Sequence, residues 1–397
     1  MSTQSINLHH SDHFDNPELT RIWSDLEGQF MESQHFWDEE SLTRVIGLLQ
    51  HLDIGYVRQG LDLLLTFGEE QLCHCVDLIE GELVLKHFWE HKPLLEQALL
   101  EVIPTSELFK ELDGLGAFDS MFMRFWSQYH LSEMSDELQK RLVQQSKKMM
   151  HIPAGNFWMG ALEGDSHVQN AERPAHLVTL TRDFLVGKYP VTQLLWESIM
   201  ESNPSSFAGG NRPVENVSWS QCIEFCNKLS IKEGLEPVYR VEQQGDRSGL
   251  EQPFVHCDWN ANGYRLLTEA EWEYAAKSGQ NCKYAGSEVS DEVGWHRENS
   301  GDLFDAKTHP VGLKKANAFG LCDMSGNVFE WCWDWYGEHY SEEAQTDPVG
   351  PKTGINRIRR GGAWDVLERF ARVTNRHYFA QSRMYSNQGF RLAHSIL

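Results

Sequence analysis

The stretch Asp323–Gly337, DMSGNVFEWCWDWYG, sets the reading of the whole C-terminal part. Gly326 permits a tight backbone path that a side chain would oppose. Trp331, Trp333 and Trp335 alternate, as in a strand with one buried face, and each is expected to pack in a core. Upstream, GYRLLTEAEWEYAAKSG (263–279) places Thr268 three residues before Glu271, a capping-box pattern opening a helix that lays Trp272, Tyr274 and Ala275 on the core. Further upstream, HLVTLT (176–181) and Phe184–Val186 alternate like strands, and Trp219–Leu229 has helical spacing. From about 280 to 397 the sequence is loop-heavy, so its backbone must be held by cross-chain hydrogen bonds, aromatic packing or ions.

The N-terminal part has a different texture. Leu42, Val45, Ile46, Leu48, Leu49 and Leu52 recur at three and four, the period of one buried helical face. The expectation is an α+β chain. An all-helical domain over 1–147, of six to eight short helices, would precede a second domain over 148–397 with little regular secondary structure.

At 397 residues and 41% hydrophobic composition, the chain has material for two or three cores. Lys and Arg total 35 against 58 Asp and Glu, a formal charge of -23, which repels phosphates. No nucleic-acid or membrane partner is therefore expected. Met1–Glu18 is polar, unlike a secretory signal, and eight cysteines are too sparse for a disulfide scaffold. A cytoplasmic, reduced protein is the expectation.

Ordered words across 148–397 then resemble the formylglycine-generating enzyme, or sulfatase-modifying factor, family. They are IPAGNFWMG (152–160), ERPAHLVTL (172–180), FLVGKYPVTQ (184–193), RPVENVSWSQCIEFCNKLS (212–230), the two stretches quoted above, RRGGAWD (359–365) and NQGFRLA (387–393). The resemblance implies a variant of the C-type-lectin fold. It also maps a calcium loop onto Asp323, Gly326, Val328 and Glu330, oxygen donors of the kind a hard cation takes. The alternative is a metal-free loop with Glu330 paired to an arginine. Family members that make formylglycine carry two copper-binding cysteines just after the Arg-Gly-Gly word. Those positions fall on Val366 and Ala371, which cannot ligate copper, so no copper and no oxidase activity are expected.

A related branch binds iron through histidines of a helical domain. His87 and His91 stand at i,i+4 here, but Lys92 and Pro93 follow where that branch continues with further ligand residues. Cys73-His74-Cys75 is too short for a zinc framework. The tract between RRGGAW and NQGFRLA, residues 365–386, is similar to variable proteins of diversity-generating retroelements, in which this fold displays a mutated patch before the final GFR word. Arg369, Arg372, Asn375, Arg376 and Arg383 resemble the family skeleton. Asp365, Val366, Leu367, Phe370, His377, Tyr378, Phe379, Met384 and Tyr385 form the candidate ligand surface, since aromatic and adaptable side chains on a rigid frame suit recognition. The sequence thus reads as a calcium-stabilised, non-catalytic protein that binds a protein or other macromolecule through 365–386, its helical domain serving a second protein partner. A non-haem-iron oxidoreductase of the same superfamily is the alternative.

Overall fold

The computed structural model describes residues 140–396, apart from 141–142, 145, 162–166, 243–253 and 302–305. These lie within one compact unit spanning Phe122–Leu397. In chain order the strands are β1 (Met149–Ile152), β2 (Gly155–Met159), β3 (His176–Leu180), β4 (Phe184–Gly187), β5 (Tyr239–Glu242), β6 (Phe254–Cys257), β7 (Tyr264–Leu266), β8 (Phe329–Trp335), β9 (Gln345–Thr346), β10 (Asn356–Arg360), β11 (His377–Ala380), β12 (Gln388–Phe390) and β13 (Leu392–Ser395). The α-helices are α1 (Gln193–Met200), α2 (Trp219–Lys232), α3 (Glu269–Lys277) and the single turn α4 (Ser290–Val293).

This corrects the expected fold class. Among the described residues the protein is mostly β, with thirteen strands and four α-helices. The strands are two to seven residues long, so that a period of two shows in few of them beyond β3, β4 and β8. The expected all-helical domain over 1–147 falls almost wholly outside the described residues and is not supported. His87, His91 and Cys73–Cys75 lie outside them too.

Four sheets result, in the orders β1-β4-β13-β7, β11-β10-β8-β12, β2-β3-β9 and β5-β6. Helix starts follow the expected chemistry. Thr268 Oγ1 accepts from Glu271 N (3.1 Å) while the Glu271 carboxylate accepts from Thr268 N (2.9 Å), and Ser218 and Gln221 repeat this at α2. Trp219, Cys222, Ile223, Cys226 and Leu229 then bury one stripe of α2, the two cysteines as packed thiols. Two apolar clusters form. One gathers Ile152, Val178, Phe184, Trp272, Leu321 and Ile358, the other Trp196, Trp219, Phe225, Leu266, Trp331 and Phe390.

Strand β8 is central and buried on both faces, unlike the one-faced strand its tryptophans suggest. Trp331 joins the second cluster, whereas Trp333 and Trp335 are only half-buried. The intervening Glu330, Cys332 and Asp334 are fully buried. The polar face is tolerated because α3 supplies partners: Trp272 Nε1 donates to Glu330 Oε2 (2.7 Å) and Glu269 N donates to Asp334 Oδ2 (2.8 Å).

Buried ion pairs fasten α3 to β10. Arg360 pairs with Glu273 and reaches Glu269 at 3.3 Å, and Lys277 Nζ lies 2.8 Å from Glu273. Burial alone would raise Glu273, but Lys277 and Arg360 hold it below the ordinary carboxylate value. Arg360→Met takes one of two cations from each of Glu273 and Glu269, which keep Lys277 and Arg376, so urea denaturation should show a loss of about 1.5–3 kcal/mol. A loss below about 1 kcal/mol would contradict this role. Burial, with Glu269 alongside, pushes Asp334 up to about 8, so the folded state holds a proton that the unfolded chain releases near its ordinary value. That contribution is complete at low pH and is lost as pH rises through 8. Asp334→Asn keeps an acceptor for Glu269 N without the charge. Its melting temperature should gain on the parent from pH 5 to pH 8 and then level off; a gap that shrinks over that range would refute the assignment.

Candidate ligand surface

The tract starts where β10 ends. Gly361 and Gly362 adopt positive φ (95° and 75°), and a Cβ on Gly362 would meet Ala371 Cα at 2.7 Å, so the turn requires glycine there. The chain passes through Trp364 and the short 3-10 turn Glu368–Phe370 before forming β11, which pairs antiparallel with β10 at the sheet edge.

Of the skeleton residues, Arg372 and Arg376 are buried in ion pairs and Asn375 is buried beside them, whereas Arg369 and Arg383 are exposed. Arg372 Nη1 and Nη2 donate to Glu172 Oε2 (2.8 Å) and Oε1 (2.7 Å), with Thr374 Oγ1 donating to Oε2 at 2.7 Å. Arg376 holds both oxygens of Glu269 at 2.7 and 2.9 Å. The main chain is tied as well: Trp219 N donates to Gln381 O (3.0 Å) and Asn216 N to Tyr385 O (2.9 Å).

The nine candidate residues fall into two groups joined at their bases. Asp365, Val366, Leu367 and Phe370 are half-buried in the turn. Asp365 accepts Asn387 Nδ2 on both oxygens at 3.0 Å, and Trp364 Nε1 donates to Ser386 O at 3.0 Å, drawing the turn against the segment after β11. Arg297 donates from its backbone to Val366 O (2.9 Å) and from Nε to Asp365 O (2.8 Å). In the second group Tyr378 is 43% exposed, Met384 52% and Tyr385 41%. Tyr378 stacks on Tyr336 (centroids 4.0 Å apart), and Phe379 meets Tyr385 edge-on at 5.0 Å. His377 is half-buried: its Nδ1 accepts from Arg359 Nε (3.1 Å) and Tyr378 N (3.0 Å), and burial plus Arg359 lowers it to about 4. Val366 offers no ligating side chain, and the Ala371 methyl is buried with Tyr284 and Val293.

Sequence reasoning missed Arg359, Gln388, Asn387 and Arg297. The usable signal was RIRR (357–360), since a strand with arginines on both faces must find acids or rings for each.

The loop expected to hold calcium is built differently. Gly326 has φ 95°, and a Cβ there would run into Trp295 O, as a tight path requires. Both Glu330 oxygens are occupied, by Arg391 Nη2 (2.7 Å), Arg391 Nε (3.0 and 3.1 Å) and Trp272 Nε1. Asp323 accepts from Gly312 N (2.7 Å) and Asn327 Nδ2 (3.3 Å), and burial raises it to about 6. The four residues therefore do not fit a calcium cage in this arrangement, because a guanidinium already supplies the positive charge at Glu330. Among the described residues no group of three or more His, Cys, Asp or Glu side chains assembles a metal site.

Residues 134–396, well over half of the chain, match the family described as sulfatase-modifying factor enzyme 1-like domain. The chain belongs to that family. Within it, the sequence is 40% identical over 242 residues to "Chaperone protein LppX" of Paenibacillus barcinonensis, covering 55% of this chain and 82% of that one. It is 29% identical over 289 residues to the formylglycine-generating enzyme of Thermomonospora curvata, covering 62% and 93%. The solved structure of Treponema denticola variable protein 1 resembles it with TM-score 0.55 and 38% identity, covering 62% of this chain and 95% of that one. The sulfatase-modifying factor scaffold read from the sequence words is thus the scaffold of 148–396.

With Glu330 held by Arg391, a chelator such as EDTA should leave the melting temperature of the purified protein unchanged, and calcium addition should not raise it. A drop of several degrees on chelation, reversed by calcium, would restore the calcium loop.

Proposed function

We propose that this protein is a non-catalytic binding protein on the sulfatase-modifying factor scaffold, with 365–386 as its recognition surface and a protein as its ligand. One observation carries the reading: within a single tract, skeleton and display separate. Arg372, Asn375, Arg376 and Gln381 are buried, while Tyr378, Met384 and Tyr385 project from between and beyond them. Large side chains fixed by a rigid base lose little entropy on contact, which is what an interface uses for its strongest contacts. The likeness to a Treponema denticola variable protein supports the finer reading that this surface is retroelement-diversified. The absence of side-chain ligands at Val366 and Ala371 supports the lack of oxidase chemistry.

Tyr378→Ala combined with Tyr385→Ala should weaken capture of a cognate protein tenfold or more, with the melting temperature shifted by no more than a few degrees. Equal capture by parent and variant would remove the surface from consideration. Conversion of a sulfatase-type peptide cysteine to its aldehyde by the purified protein would overturn the non-catalytic reading, as would stoichiometric iron or copper in it.

A further inference from the structure

On β10, Arg357 and Arg359 face one side of the sheet, opposite Phe379 and His377 of β11 respectively. Five other buried arginines each meet a carboxylate: Arg265 with Glu271, Arg360 with Glu273, Arg372 with Glu172, Arg376 with Glu269 and Arg391 with Glu330. Among the described residues, Arg357 and Arg359 have none. Arg357 is covered instead by rings, its Cζ 3.8 Å from the Trp219 centroid and 3.5 Å from that of Trp335.

Arg359 is different. It is 5% exposed, and both of its hydrogen bonds go to neutral acceptors, Nε to His377 Nδ1 and Nη1 to Gln388 Oε1 (2.8 Å). Its Cζ lies 4.0 Å from the Phe329 centroid and 5.0 Å from that of Phe379. Gln388, having given its oxygen to Arg359, leaves Nε2 buried with no acceptor. His377 accepts twice at Nδ1, so its proton resides on Nε2, a further donor. Three donor groups and a charge thus gather with no acid among them. Among the described residues, Asp365 is a carboxylate near enough to favour the Arg359 charge, and it is bound to Asn387. An uncompensated buried cation is costly, and an unsatisfied buried amide adds to the cost. Both are relieved by one ligand type.

We propose that Arg359, with Gln388 and His377, is the floor of a carboxylate receptor, and that the ligand of the 365–386 surface is an acidic peptide. Its carboxylate pairs with Arg359 and Gln388 Nε2, side chains 5% and 0% exposed that are closed to solvent until it binds, and its apolar portion lies on Phe379 and on the half-exposed Tyr385 that meets it edge-on. This rests on the binding reading above and names the ligand chemistry of that surface. The overall charge of -23 does not oppose it at close range, because at physiological salt the field is screened beyond about 8 Å.

The probes are benzoate, its neutral isostere benzamide, and phenyl phosphate, titrated onto the full chain by saturation-transfer NMR. Benzoate should bind at least tenfold more tightly than benzamide or phenyl phosphate. Arg359→Gln should abolish the preference, and Gln388→Leu, which keeps the arginine, should reduce it several-fold. Arg359→Gln should also hold or raise the melting temperature, since it removes an unpaired charge. The proposal falls if benzoate shows no saturable binding, if Arg359→Gln binds it like the parent, or if phenyl phosphate binds more tightly. Benzamide binding as well as benzoate would sink the carboxylate receptor and leave the recognition surface standing. Arginine-dependent benzoate binding alongside full protein capture by the double tyrosine variant would do the reverse.

Discussion

The guanidinium of Arg391 sits where four parts of the chain meet, and every one of its donors is used. Nε and Nη2 hold Glu330 of β8, Nη1 donates to Gly187 O (2.8 Å) and Lys188 O (2.7 Å) at the end of β4, and Nη2 also donates to Cys322 O (2.7 Å). Through Glu330 the same network reaches Trp272 of α3. Arg391 lies between β12, which pairs parallel with β8, and β13, which pairs with β4 and β7, so it ties the two four-stranded sheets together. A buried pair of this kind adds modestly to stability and strongly penalises any arrangement that separates its members. It fixes which strands neighbour which, and it gives the 322–330 loop a cation from within the protein.

The same economy recurs through the interior. Glu172, Glu269, Glu271, Glu273 and Glu330 are inward acids that arginines from β7, β10, the tract and the β12–β13 junction meet. Acidic overall, the chain nevertheless buries seven arginines among its described residues. Because these pairs leave few spare acceptors, an arginine placed off the pattern stands out. Arg359 does, two residues from Arg357 on a face otherwise lined with rings.

What could be read in the sequence was local. The capping boxes at Ser218 and Thr268 give helix starts because a hydroxyl and an amide or carboxylate three residues on satisfy each other's backbone donors wherever the helix later packs. Strands β3 and β4 were legible for the same reason, each carrying its alternation within one run. Strand β8 was legible as a strand, but not the burial of its polar face, because the partners of Glu330 and Asp334, on α3 and at Arg391, lie about sixty residues away in either direction. The candidate surface divides the same way. Tyr378, Met384 and Tyr385 could be picked by residue type, whereas the Arg359–Gln388 contact spans 29 residues and exists only because β10 and β12 flank β8 on its two sides.

The way the tract is anchored bears on why its display can vary. Trp364 and Ser386 clamp its two ends, Arg372 and Arg376 pin its middle to acids on distant segments, and backbone donors from the residues before α2 hold Gln381 and Tyr385 by their carbonyls. None of these contacts uses the side chains of Tyr378, Met384 or Tyr385. Replacing those three changes the outward chemistry without withdrawing a partner from any buried polar group, so the penalty that normally restrains substitution beside an ion-pair network does not reach them. Replacing His377 or Gln388 does reach the network, through Arg359. The tract thus has outer positions free to change and inner ones that are not, and under the proposed binding role a ligand feature shared across changing partners would be read by the inner ones.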